Sequence, residues 1–208
     1  MSLFDKDFLA RLARLDPLDA LKDTPLRSDF DLSPAFRPAP APLRDAAVLV
    51  PIVRRREGLT VLLTQRSADM PTHAGQISFP GGRVQEEDNG PVATALRETR
   101  EETGIDDRFI TPLGGFMAYQ TVTNFRITPI VALIEPGFTL APDPREVADV
   151  FEAPVAFLMD PANHQRHTRQ WQGSERGYYV MPYLDRYIWG ATAGMLKALY
   201  DHLYGDEE

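Results

Sequence analysis

Cysteine is absent from all 208 residues, so the chain has no disulfide framework and no thiolate nucleophile. No apolar run is long enough to span a bilayer, and the N-terminus lacks a signal-peptide pattern. Positive charge is outnumbered, with 22 Lys+Arg against 30 Asp+Glu and a net charge of −8. That balance argues against general nucleic-acid binding. It leaves room for a phosphorylated small molecule held by a few local arginines or by a metal. Internal repeats and low-complexity tracts are missing too. The expectation is a cytoplasmic protein with neither nucleic-acid nor membrane partners.

What is present, 43% hydrophobic and 25% charged residues, suits one globular domain with a sizeable core. Near the start, Phe4, Phe8, Leu9, Leu12 and Leu15 recur at helical spacing, predicting a short helix before Pro17. Residues 33–42, "SPAFRPAPAP", read as an extended linker. The chain therefore divides into an N-terminal helix and Pro-rich linker, 1–43, and a main domain, 44–208. "AAVLVPIVRR" and "LTVLLTQRS" predict buried strands, "ISFPGG" a short strand ending in a glycine turn. "FITPLGGFMAYQTVT" and "FRITPIVALIE" add β-branched and aromatic strands. "DPREVADVFEAPVAFLMDP" predicts a strand leading into a short helix, and "YIWGATAGMLKALYDHLYG" a C-terminal helix that includes Ile188. Strands around a central helix indicate an α/β or α+β domain with a mixed sheet.

That central helix runs from Pro91 to Thr103, with Pro91 in its first turn and Gly104 just past its end. At about 100° per residue, Val92, Ala95, Leu96, Thr99 and Thr103 form one stripe, the expected core face. Its second half, "LRETREETG", collects Glu98, Glu101 and Glu102 where the helix dipole prefers cations. Glu98 and Glu102, four apart, repel each other. Arg97 can pair with Glu101, but the other two have no evident partner within the helix. A solvated, ion-paired helix face accounts for Arg97 and Glu101 only. A hard divalent cation with oxygen ligands accounts for the crowding as well. Gly81 and Gly82 in "FPGGR" end a strand one loop earlier, where backbone can approach a phosphate or a metal.

Gly81 to Ile105, "GGRVQEEDNGPVATALRETREETGI", resembles the Nudix box, a loop–helix–loop that binds Mg²⁺ or Mn²⁺. Gly82, Arg97, Glu98, Glu101, Glu102, Gly104 and Ile105 take the family's positions. The sequence departs from the pattern in three places: Asp88 replaces the first glutamate, eight residues rather than seven separate it from Arg97, and Thr99 fills an aliphatic position. "LLTQRSADMPTHAGQISFPGG" (62–82) and "IWGATA" (188–193) are similar to segments of the coenzyme A pyrophosphatase branch, which usually has an arginine where this chain has Pro71. The resemblance implies a Nudix-type α/β/α sandwich with a mixed central sheet. It also implies metal-dependent cleavage of coenzyme A or its thioesters to 4′-phosphopantetheine and adenosine 3′,5′-bisphosphate. Alternatives are another nucleoside diphosphate derivative, such as ADP-ribose or a dinucleoside polyphosphate, or an inactive nucleotide-sensing module.

On this reading Glu98, Glu101 and Glu102 hold the metal, and Glu101 and Arg97 are the catalytic candidates. Arg66, Gly81, Gly82 and Arg83 face the substrate, with Arg66 or Arg83 meeting its phosphates, the 3′-phosphate included. Glu146 is a second candidate base, read more readily as a solvated loop residue, and His73 is a modest polar contact. His164, His167 and His202 read as surface. Ser67 and Ser78 show no triad partners. Trp189, Phe116, Tyr119 and Phe125 read as packing.

Overall fold

An unbroken run of apolar and small side chains, Ala46 to Val53, is what a strand buried on both faces requires. In the computed structural model, which describes residues 2–21, 24–70, 72–171 and 173–205, this run is the middle of β2 (Arg44–Arg55). β2 pairs in parallel with β8 (Phe125–Ile134) and antiparallel with β3 (Gly58–Arg66) and β5 (Gly81–Arg83). Beyond β3 lie β4 (Ile77–Ser78) and β9 (Val147–Pro154). Beyond β8 lie β6 (Ile110–Gly115) and β7 (Ala118–Gln120), and β1 (Leu26–Ser28) joins β7 in parallel. The sheet is mixed.

The alternation of side chains along β2 sorts the core into two layers. Val48, Val50 and Ile52 enter one cluster with Phe8 of α1 (Leu3–Arg11) and Leu196 and Leu199 of α4 (Ala191–Tyr204). Ala47, Leu49 and Val53 enter the other, with Ala95 of α2 (Pro91–Thr103). Helices therefore cover both faces, giving an α/β/α sandwich. Among the described residues no helix is long and apolar enough to cross a membrane.

Helix α1 begins with a capping box: the Asp5 amide donates to the Ser2 hydroxyl and the Ser2 amide to the Asp5 carboxylate. It ends at Arg11, and a 3₁₀ turn, Leu12–Arg14, carries the apolar spacing on. The expected linker is interrupted by a 3₁₀ turn at Pro34–Phe36. Two further expectations change. Ile188 lies not in the C-terminal helix but on β12 (Arg186–Trp189), and Gly190, at φ 65°, turns the chain into α4. A hairpin of β10 (Gln165–Trp171) and β11 (Ser174–Tyr183) forms a second sheet with β12. "QRHTRQW" offers almost no apolar alternation, so the pattern that reveals a half-buried strand is missing from it. The short helix after β9 is α3 (Val155–Leu158), as expected. Pro71 lies outside the described residues.

Phe8 is fully buried and stacks on Phe4, which makes the N-terminal helix part of the main core. Phe8→Ala should lower unfolding free energy by about 3–5 kcal/mol. Urea denaturation followed by circular dichroism measures it; a loss below about 1 kcal/mol would mean that α1 docks without contributing to the core.

Candidate active site

Helix α2 starts at Pro91 with no side-chain cap and ends at Gly104, whose left-handed φ of 75° lets its amide donate to the Arg100 carbonyl. The two carbonyls that α2 leaves open at Glu102 and Thr103 accept from the amides of Asp143 and Ala141. This pins the loop between β8 and β9 to the helix terminus and brings Glu146 toward the α2 carboxylates. Of the expected core stripe, Ala95, Thr99 and Thr103 are buried, and Val92 and Leu96 pack partly buried against them. The Thr99 and Thr103 hydroxyls donate to the carbonyls four residues earlier, which satisfies them inside the core.

The three box glutamates sit in three environments. Glu102 is 5% exposed and accepts the Gly81 amide at 3.3 Å. The Glu98 side chain is 15% exposed and lies over Gly82, so close that a Cβ there would come within 2.5 Å of its carboxyl. Glu101 is 56% exposed and takes a hydrogen bond from Arg97 Nη1. Gly81 is equally constrained, since a Cβ would sit 2.5 Å from the Ala47 carbonyl on β2. The glycine pair thus serves close packing of β5 between β2 and α2.

Arg97 organises the neighbourhood. Its Nε and Nη2 donate to Asp88, each at 2.9 Å, Nη1 donates to Glu98 and Glu101, and Nη2 also donates to the Arg83 carbonyl. Asp88 accepts two further hydrogen bonds, from the Thr94 hydroxyl and the Gln85 amide. The Arg97 fork holds the Asp88 carboxyl well below the usual carboxylate range. Asp88 is therefore a clamp for Arg97 and the loop after β5, and Arg97 faces protein at each of its nitrogens.

Burial pushes the other two carboxyls up. Glu98 is raised by desolvation, with the charges of Glu101 and Glu146 adding to it and Arg97 opposing. Glu102 is raised to about 8, first by desolvation, then by the Glu98 charge, with Glu146 adding and Arg66 opposing. Among the described residues no three His, Cys, Asp or Glu side chains already converge as a finished metal cluster. The donor set nonetheless suits a hard divalent ion: two buried carboxylates, a third acid nearby and the negative end of a helix, opposed mainly by Arg66 and Arg97.

Beside these acids opens a cavity of about 730 Å³. Arg66, Gly81, Gly82 and Arg83 all line it, as do His73 and Trp189. The Arg66 Nε is buried with no partner. Arg83 and Arg44 lie over the Phe125 ring at 5.3 and 4.0 Å. Phe125 and Trp189, expected as packing, are cavity walls, whereas Phe116 and Tyr119 are core. His164 is half-buried, meeting the Leu158 carbonyl through Nε2, and not on the surface as expected. His167 and His202 are likewise engaged, with Tyr187 and the Arg14 carbonyl. The missed part of the site is the wall from β10 and β11, with Arg169, Trp171, Arg176 and Tyr178. The signal that was available is the density of arginine and aromatic residues in 166–179.

A family model described as "NUDIX domain" matches residues 43–172. A protein from Citrobacter koseri is 39% identical over 157 residues, covering 75% of this chain and 81% of its own. One from Cronobacter sakazakii has the same values. One from Photorhabdus laumondii is 37% identical over 156 residues, 75% of this chain and 83% of its own. All three carry the name "Uncharacterized Nudix hydrolase NudL".

If Glu98 and Glu102 hold a divalent ion, Glu98→Gln and Glu102→Gln should each lower hydrolysis at least ~100-fold, because a weaker-held ion neutralises less of the phosphate charge. Near wild-type rates in both would remove these residues from the site. In metal-free protein the sign for stability is opposite. Glu102 has its pKa raised from 4.5 to about 8, so the folded state holds a proton that the unfolded state releases. Its contribution is fully present below 4.5 and lost as pH rises through about 8. Glu102→Gln should flatten that decline. Melting temperatures of both proteins in chelator across this range would show it; parallel profiles would contradict the burial argument.

Proposed function

Because the chain belongs to the NUDIX domain family and is a Nudix hydrolase, we propose that it is a metal-dependent pyrophosphohydrolase of coenzyme A or its thioesters. One observation carries the substrate reading. The two segments that resemble the coenzyme A branch, 62–82 and 188–193, meet at this cavity. The Thr192 hydroxyl donates to the Ile77 carbonyl at 2.9 Å, and Thr72, His73, Gly190 and Thr192 line the space beside Gly82. The volume suits a ligand of nucleotide size.

In this proposal Glu98 and Glu102 hold the ion, with Glu101 or Glu146 completing its ligands. Mg²⁺ or Mn²⁺ bound there would neutralise phosphate charge and make a bound water more acidic. Arg97 is a positioning residue: it fixes Glu98 and Glu101 and ties them to Asp88. Arg66, with its unpartnered Nε beside Glu102, is placed to donate to the diphosphate. Glu101 and Glu146 are the candidates for taking the proton from the attacking water. Glu146 is favoured, since Arg97 already holds the charge of Glu101. Water adds across the P–O–P bridge, and the products are 4′-phosphopantetheine and adenosine 3′,5′-bisphosphate. Catalysis is assigned to 44–208, with 1–43 completing the core, and to the cytoplasm.

Incubation of coenzyme A with the protein and Mg²⁺ should yield those two products, identified by mass spectrometry. Faster turnover of ADP-ribose than of coenzyme A, scored by kcat/KM, would move the chain to another substrate branch. Chelation should abolish turnover while leaving the far-UV circular dichroism intact, because the core is large enough not to depend on an ion. Loss of the dichroism signal on chelation would make the ion structural instead.

A further inference from the structure

Arg169 on β10 and Arg176 on β11 are direct cross-strand partners. Their side chains therefore leave the same face of the sheet, an arrangement of like charges that disfavours the strand pair. Trp171 and Tyr178 share that face by the two-residue repeat, and Trp189, opposite Val180 on β12, does too. All five side chains line the cavity.

Neither arginine is held by a close, forked carboxylate among the described residues. Arg176 is buried, its side chain 8% exposed, and its Nε has no hydrogen-bond partner. Its nearest carboxylate, Asp29, stands 3.9 Å from Nη2, which donates instead to the Asp29 carbonyl at 3.3 Å. The Asp29 carboxylate is already engaged by the Tyr119 hydroxyl at 3.1 Å and the Val122 amide at 2.9 Å. Among the described residues Arg169 has no ion-pair partner and lies 5.1 Å from the Trp171 ring and 5.3 Å from the Trp189 ring.

We propose that this face of the second sheet is a subsite for a phosphate monoester on the nucleoside end of the substrate. The dianion would be shared by Arg169 and Arg176, and the base would lie against the indole walls. The assignment rests on the coenzyme A reading, whose 3′-phosphate is such a group, and it gives that phosphate a site separate from the diphosphate at Arg66. Planar guanidinium forks suit a phosphate, and aromatic faces beside them suit a base. The N-terminal segment takes part through Asp29, which holds Arg176 at the cavity wall.

The test is titration calorimetry on the full chain in chelator, where turnover is absent, with adenosine 3′,5′-bisphosphate and adenosine 5′-monophosphate as probes. The wild type should bind the bisphosphate on the order of ten-fold more tightly, as one charge-assisted contact predicts. Arg169→Gln, at an exposed position, should bring the ratio toward one. The double variant Asp29→Asn/Arg176→Gln, which leaves no buried unpaired carboxylate, should do the same. A ratio near one in the wild type, or an unchanged ratio in both variants, overturns the subsite. A retained, Arg169-dependent ratio without coenzyme A hydrolysis supports the subsite and overturns the substrate reading. Hydrolysis of coenzyme A with a ratio near one overturns the subsite alone.

Discussion

Helix α2 lies so close to β5 that the Glu98 carboxyl occupies the space a side chain at position 82 would need. The site depends on that contact. It buries Glu98 and Glu102, sets the Gly81 amide toward Glu102, and packs both acids behind the two glycines that line the cavity. Carboxylates on an exposed helix face keep ordinary acidity and bind ions weakly. Here the helix is held against a strand that is itself clamped to β2 through Ala46–Val48. Any Cβ at 81 or 82 would separate these layers, so two glycines are a condition of the chemistry as well as of the turn.

Holding carboxylates in that position needs opposing charge, and Arg97 provides it. Its planar fork reaches Asp88 with two nitrogens while the third reaches Glu98 and Glu101. With side-chain exposures of 15% and 6%, Arg97 and Asp88 form a largely desolvated pair, whose separation would leave a buried charge without compensation. Between Asp88 and α2 the chain turns at Gly90, which adopts φ 83°. An aspartate one methylene shorter than the glutamate expected there still reaches the arginine.

Much of the sheet and of the site was legible because it is written in period and spacing. The β2 run, the α2 stripe, the Pro91 and Gly104 boundaries and the i,i+4 glutamates are all local patterns. What was not legible depends on which distant segments meet. Glu146 is an exposed loop acid, as its sequence reads, and only the capping of α2 by the amides of Ala141 and Asp143 shows that its charge is felt by Glu98 and Glu102. Asp29 sits in a segment with no informative pattern, and its role is set by Tyr119, Val122 and Arg176, far along the chain. β10 and β11 escaped because most of the polar face they present looks outward or into the cavity, and a polar wall has no hydrophobic periodicity to read.

The two like-charge pairs follow one logic. Glu98 and Glu102 repel along a helix, and Arg169 and Arg176 repel across a hairpin. Each pair is a local fault in secondary-structure terms, and each lies beside the same cavity. A chain selected only to fold would relieve both with single substitutions, since an alanine or glutamine at any of the four positions keeps its element. Their separation by sign is informative: acids gather at the C-terminal, negative end of α2, and bases gather on the wall of the second sheet. A molecule that satisfies both must bring a cation to one and an anion to the other. A metal-bound diphosphate carrying a further phosphate monoester, the ligand proposed above, would do that in a single molecule. In this account the charge pairs are the complement of the proposed substrate: without metal the glutamate pair is eased by the proton that burial holds on Glu102 and by Arg97 beside Glu98, and a bound cation takes over that task.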